Sequence, residues 1–172
     1  MTERKGLITF QGNPLTMAGN PVEPGDKAPG FELLDNALGT KTMDDYKDKV
    51  LIIATVPSLD THVCDLEARR FNQEAAKLGD KVQVLVVSMD LPFAQKRWSD
   101  NAGVDVMQTL SDHRDASFGL GWGVLIKELR LLARTVFIVD KSGNVQYSQV
   151  VPEVTDEPDY DDVLQAVRKI ID

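Results

Sequence analysis

Hydrophobic positions along the chain change period several times, and each change marks an element. Val50 to Val56 is a continuous apolar, β-branched run between Lys49 and Pro57, as expected for a strand buried on both faces. Val82 to Ser88 repeats that pattern. Between them Val63, Leu66, Phe71, Ala75 and Leu78 recur at three-to-four spacing, with Glu67, Arg69, Arg70, Asn72, Gln73 and Glu74 on the other faces. This predicts an amphipathic helix that stops near Gly79. Downstream the pattern predicts a short helix over Pro92 to Ser99, a weaker strand over Val104 to Leu110 and a brief helix, capped by Ser111 or Asp112, through Phe118. A strand over Arg134 to Val139 turns at Asp140-Lys141-Ser142-Gly143-Asn144 into Val145 to Val151, which is hairpin chemistry. The last helix runs from Asp159 or Tyr160 to Ile171, with Val163, Leu164, Val167, Ile170 and Ile171 on one face.

The amino-terminal part is less regular. Gly6 to Phe10 and Leu15 to Ala18 flank the turn-rich Gln11-Gly12-Asn13-Pro14, so residues 1–18 read as a β-hairpin. Gly19 to Gly30 is an irregular connection, and Phe31 to Leu34 a short strand. Two parallel strands joined by a helix, followed later by an antiparallel pair and a terminal helix, form an α/β arrangement of the thioredoxin-like type, although pattern alone does not separate it from other α/β sandwiches. Residues 1–172 are expected to form one domain, with the hairpin as an added extension.

Composition narrows the function classes. Lys plus Arg number 19 against 27 Asp plus Glu, a formal charge of -8, which argues against nucleic acid or an anionic membrane as partner. No apolar run approaches the ~18 residues of a membrane span, and the first apolar stretch is broken before a signal-peptide core can form. A cytoplasmic protein is expected, its thiol kept reduced. The single cysteine, Cys64, excludes an internal disulfide and a Cys-rich zinc site; with only His62 and His113 beside it, no metal is expected.

Cys64 follows the loop that leaves the most buried strand and lies at the start of the amphipathic helix, where sites form in open α/β sheets and where helix N–H groups favour an anion. A thiol at the ordinary pKa of ~8.5 is only about 3% ionised at pH 7; a pKa of ~6 would make it about 90% thiolate, a differential stabilisation of roughly 3.4 kcal/mol. A helix terminus supplies about 1 kcal/mol, so a second contributor, a cation, is required. The competing reading is a small buried packing residue. Thr61, three residues earlier, can bring its hydroxyl to the same side of the first turn and bond a thiolate or a bound oxygen, or simply act as N-cap. Pro57 can shield the thiol from water, or be an ordinary loop residue.

Pro57, Thr61 and Cys64 match the Pro-x-x-x-Thr-x-x-Cys motif of peroxiredoxins, and Val56-Pro57-Ser58-Leu59-Asp60-Thr61-His62-Val63-Cys64-Asp65 resembles their thiol peroxidase subfamily. The resemblance extends to Gly12-Asn13-Pro14-Leu15-Thr16, Gly25-Asp26-Lys27-Ala28-Pro29, Ser88 to Arg97, Leu110-Ser111-Asp112 and Glu157-Pro158-Asp159-Tyr160. It implies a thioredoxin fold with the added hairpin, a homodimer, and reduction of hydrogen peroxide or alkyl hydroperoxides without metal, haem or flavin. It also implies that Arg134, in Leu132-Ala133-Arg134, is the cation that the thiolate requires.

Three features depart from that pattern. Ser99 stands where the resemblance leads one to expect a resolving cysteine, either as a natural one-cysteine variant or as an introduced replacement; Trp98, Asp100 and Asn101 favour the former. A hydroxyl cannot close a disulfide, so the reductant must be external, thioredoxin or a small thiol such as glutathione. His62 stands where proline is usual and reads as a solvated loop residue rather than a proton donor. Lys127 to Leu132 reads as shorter than the usual loop before the arginine, which would alter the rim of the site or the dimer contact. Alternatives from other classes are a cysteine hydrolase, for which His113 beside Asp112 is the weak candidate base, and a peroxide-sensing protein with little turnover. Gly119-Leu120-Gly121-Trp122-Gly123 reads as a turn, not a nucleotide loop. The carboxylates Glu153, Asp156, Glu157, Asp159, Asp161 and Asp162 read as capping and dipole residues of the last helix.

Overall fold

A computed structural model describes residues 1–171. The chain begins with the hairpin β1 (Glu3–Phe10) and β2 (Asn13–Ala18), followed by the short β3 (Leu33–Leu34) and β4 (Thr40–Lys41). The central unit is β5 (Val50–Thr55), α1 (His62–Leu78), β6 (Val82–Ser88), α2 (Pro92–Ala102) and β7 (Gln108–Ser111). Then come α3 (Ser117–Gly121), β8 (Leu125–Ile126), β9 (Leu131–Leu132), β10 (Thr135–Val139), β11 (Val145–Val150) and α4 (Tyr160–Ile171).

The larger sheet has the order β11-β10-β5-β6-β7-β3-β4, with β5, β6 and β7 parallel and β10 antiparallel to β5. The apolar runs of β5 and β6 are buried on both faces, as their sequences require. Leu51, Ile53, Leu85 and Val87 belong to a core shared with Phe118, Trp122 and the hairpin residues Ile8 and Met17. Ile52, Ala54, Val84 and Val86 face a second core built on Cys64, Ala68, Phe71 and Ala75 of α1 and Val163 and Val167 of α4. Two-sided cover of parallel strands by helices and loops is the thioredoxin-like solution expected above. Among the described residues no helix is long and apolar enough to cross a membrane.

Several local expectations change: the strand expected over Val104 to Leu110 is confined to Gln108–Ser111, and that over Phe31 to Leu34 to Leu33–Leu34. The brief helix begins at Ser117, not at Ser111 or Asp112, because residues 113–115 turn and Ala116 has a left-handed backbone, φ 52°. Asp112 still serves it, accepting bonds from the N–H groups of Phe118 (3.1 Å) and Gly119 (2.8 Å). Gly119 and Gly121 therefore lie in a helix, and only Trp122 and Gly123 form the turn. At Gly123, φ is +70° and a Cβ would fall 2.1 Å from the Asn20 carbonyl oxygen, so only glycine fits.

The segment 125–132 is a tight β8–β9 hairpin rather than a plain loop. It extends the smaller sheet, order β1-β2-β8-β9, and is held to β2 by the Glu128 carboxylate, which accepts the Thr16 N–H at 2.7 Å. Strands of two residues leave no periodicity to detect.

Candidate active site

Register places the site. Thr55, the last residue of β5, pairs with Thr135, the first of β10, so Arg134 sits level with the loop that carries the chain from β5 into α1. That loop is fastened by Asp90, just past β6. Its carboxylate accepts the Ser58 hydroxyl at 2.7 Å and the Leu59 N–H at 2.8 Å. Pro57 is buried within it. Asp90 was not singled out from the sequence; only parallel pairing of β5 with β6 brings it here.

Thr61 is the N-cap of α1 with extended backbone, φ −94° and ψ 149°. Its hydroxyl does not bond the sulfur; it donates to the Ser58 carbonyl at 2.9 Å, because the turn Ser58 to Thr61 brings that oxygen into reach. The lone pairs of Thr61 Oγ1 are thereby left as acceptors. Cys64 follows in the first turn and is fully buried, at 0% exposure. His62 is exposed at the rim, the first residue of α1 rather than part of the loop.

Arg134, 2% exposed, makes four hydrogen bonds through its planar fork. Nη2 donates to Cys64 Sγ at 3.3 Å, and Nε and Nη2 donate to the Val154 carbonyl at 3.0 and 2.8 Å. Nη1 donates to Glu67 Oε2 at 2.6 Å. The cation that the thiolate chemistry demanded is therefore in place. Glu67 corrects the helix reading: it belongs not to a solvated face but to the core, at 0% exposure, because it is three residues from Cys64 and shares its side of α1.

Burial pushes the Glu67 carboxyl up to about 7 against the opposing pull of Arg134, and its Oε1 has no hydrogen-bond partner. Burial works against the charge of Arg134, but Glu67 and Cys64 outweigh it and hold the guanidinium above its ordinary value. These two directions pull apart, since one favours a neutral carboxyl and the other a charged pair. Guanidinium does not lose its proton in proteins, so Glu67 is the member that titrates. One buried cation thus faces two acceptors, the Glu67 carboxyl and the Cys64 sulfur.

A cavity of about 350 Å³ opens over this constellation. Arg134, Thr61 and Pro57 line it together with Phe10 of the β1–β2 hairpin, Leu129 and Leu131 of the β8–β9 hairpin, and Val154. Cys64 does not line it, but the arginine that donates to its sulfur does. Leu129 and Leu131 put the segment before Arg134 in the cavity wall. Ser99 lies partly buried on α2. Its neighbour Trp98 donates from Nε1 to Asp65 Oδ1 at 2.7 Å, tying α2 to the residue after Cys64.

A helix-start cysteine facing a buried arginine at the carboxyl edge of a thioredoxin-like sheet defines a thiol redox protein, in which a peroxide or disulfide is the partner in chemistry. Comparison with known proteins narrows this. A family model described as Redoxin matches residues 23–164, and the chain belongs to that family. It is 55% identical over 161 residues to a thiol peroxidase of Halalkalibacterium halodurans, covering 94% of this chain and 96% of the relative. It is 53% identical to a thiol peroxidase of Bacillus subtilis, covering 95% and 98%. Among solved structures, a peroxiredoxin-like protein from Aquifex aeolicus superposes with a TM-score of 0.90 at 43% identity over 98% of each chain. A thiol peroxidase from Chromobacterium violaceum, at 21% identity and a TM-score of 0.85 over 94% and 95%, shares the fold.

Proposed function

We propose that the Cys64 thiolate carries the peroxidase cycle, with Arg134 and Thr61 positioning the substrate and Pro57 shielding the pocket. The chain is a thiol-dependent peroxidase of the peroxiredoxin type, as its membership and its relatives at about half identity support. The observation that carries the residue assignment is the donor bond from Arg134 Nη2 to Cys64 Sγ at a helix start beneath an apolar cavity.

The thiolate attacks the terminal oxygen of ROOH in line. An S–O bond forms as the O–O bond breaks, leaving Cys64 sulfenic acid, which keeps the hydroperoxide's proton, and an alkoxide that takes a proton from water to leave as ROH. Thr61 Oγ1, its own proton committed to Ser58, accepts the O–H of the hydroperoxide. Arg134 stabilises the negative charge as it passes from sulfur along the two oxygens, which is where a prearranged donor lowers the barrier. The apolar walls suit the alkyl group of an organic hydroperoxide as well as hydrogen peroxide.

With one cysteine in the 172 residues and Ser99 in the place of a resolving thiol, the sulfenic acid passes to an external thiol. That thiol, from thioredoxin or a small molecule such as glutathione, forms a mixed disulfide with release of water, and a second thiol frees Cys64. Because Cys64 is fully buried, this exchange requires the first turn of α1 to open. Assembly as a homodimer in the cytoplasm completes the reading. The apolar side chains Leu91 (51% exposed) and Phe93 (67%) beside the start of α2 support it as surface left to be covered.

Mass spectrometry after one equivalent of peroxide tests the assignment. Cys64 should gain one oxygen faster than free cysteine does, and thioredoxin or glutathione should restore the thiol. Oxidation no faster than that of free cysteine removes Cys64 from the reaction.

A further inference from the structure

Residues 151–155, between β11 and α4, carry no regular structure of their own, yet the Val154 carbonyl in this strap receives two of the four hydrogen bonds that Arg134 makes. What fixes that carbonyl fixes the guanidinium. The strap is stitched to the tip of the β1–β2 hairpin by Thr9 N–H to Pro152 O (2.8 Å) and Val154 N–H to Thr9 O (2.9 Å). The Glu153 side chain closes the seam. Its Oε1 accepts the Thr9 hydroxyl and the Gly12 N–H, both at 2.9 Å, and its Oε2 accepts the Thr155 N–H at 2.9 Å and the Thr155 hydroxyl at 2.7 Å. One carboxylate therefore binds hairpin and strap on both sides of Val154. This corrects its reading as a capping residue of the last helix, a task that falls to Asp159, whose Oδ1 accepts the Asp162 N–H at 3.0 Å.

We infer that Glu153 is a positioning residue of the peroxidase reaction, holding the Arg134 guanidinium against Cys64 through the Val154 carbonyl and making the amino-terminal hairpin a working part of the active site. The inference rests on the assignment of Cys64 and Arg134 made above. Nη2 of Arg134 serves both Val154 O and Cys64 Sγ, so a displaced carbonyl turns the donor away from the sulfur. Displacements of about 1 Å in catalytic groups cost up to a hundredfold in rate. The same seam brings Phe10 and Val154 together in the cavity wall. Hydrogen bonds from the Thr155 hydroxyl and N–H and from Gly12 hold the Glu153 carboxyl down at about 2, so the seam is ionised throughout the physiological range.

A double-mutant cycle on the reduced, full-length protein tests this, with the second-order rate of Cys64 oxidation by hydrogen peroxide as the readout. Glu153→Ala should slow oxidation about ten- to a hundredfold and move the pH profile of Cys64 alkylation in the same direction as Arg134→Ala does. On an Arg134→Ala background it should slow oxidation no further. An unchanged rate in the single variant, or an equal loss on both backgrounds, overturns the inference while leaving the peroxidase assignment standing. An unchanged rate in Arg134→Ala alone overturns both. If Glu153→Ala does not fold, Glu153→Gln keeps the shape while setting an amide N–H against two of the four donors, and the same cycle decides.

Discussion

The two halves of the proposed active site are built on different principles. Pro57, Ser58, Thr61 and Cys64 lie within eight residues, and their relation follows from a turn feeding a helix start. Arg134, Glu67 and the adjacent pair Glu153–Val154 come from three places in the chain and meet only through strand register and a seam between loops. A local turn tolerates the loss of one bond because the backbone still holds its shape. The assembled half has no such reserve: one guanidinium serves a sulfur, a carboxylate and a carbonyl at once.

That contrast predicts unequal effects. The largest belongs to Arg134. Arg134→Ala should slow Cys64 oxidation by about 10²–10³, the usual cost of one donor aimed at developing charge, as measured by stopped-flow mixing with peroxide. Arg134→Lys should recover only a small part, since an ammonium cannot serve three acceptors in one plane; full recovery would reduce the assembled half to a point charge. Thr61→Val should cost less, about tenfold by the same measurement, and Thr61→Ser should restore the rate. A loss as large as that of Arg134→Ala would erase the distinction between the halves.

The smallest effect concerns pH. The folded carboxyl of Glu67 lies near 7, above its ordinary value of 4.5, so between those values the native state binds more protons than the unfolded state. Its contribution to stability is complete at low pH and is lost as pH rises from about 4.5 through 7. The charged groups that act on it are Arg134, which lowers it, and Glu157, which raises it, and Tyr160 feels its charge in turn. Glu67→Gln should flatten the decline in urea midpoint across this window. An equal slope in both proteins would show that Glu67 stays ionised beside Arg134.

How much of this was legible in advance follows the same division. The buried runs of β5 and β6 and the β10–β11 hairpin turn carry strong local signals and stand where the pattern put them; α1 forms where expected, but its buried face is rotated, with Leu66 exposed and Glu67 and Glu74 buried. The β8–β9 hairpin carries none, its strands being two residues long. Glu67 was assigned to a solvated face because a carboxylate in a helical pattern normally marks one; its burial depends on Arg134, 67 positions away. Glu153 looked like a member of an acidic cap, because sequence distance from Thr9 and Gly12 hides the donors that surround it.

By itself, then, the sequence determined that its one cysteine lies at a helix start beyond a buried strand, and that a thiolate there would need a cation, since period, turn chemistry and the energetics of a thiolate are local properties. It matched Arg134 to that cation only through family likeness. The tertiary structure decided how the cation is held, which acceptors share it and which surfaces wall the cavity. Those depend on register between distant strands and on the low dielectric of the interior, where one unpaired or displaced polar group changes the balance of the whole site.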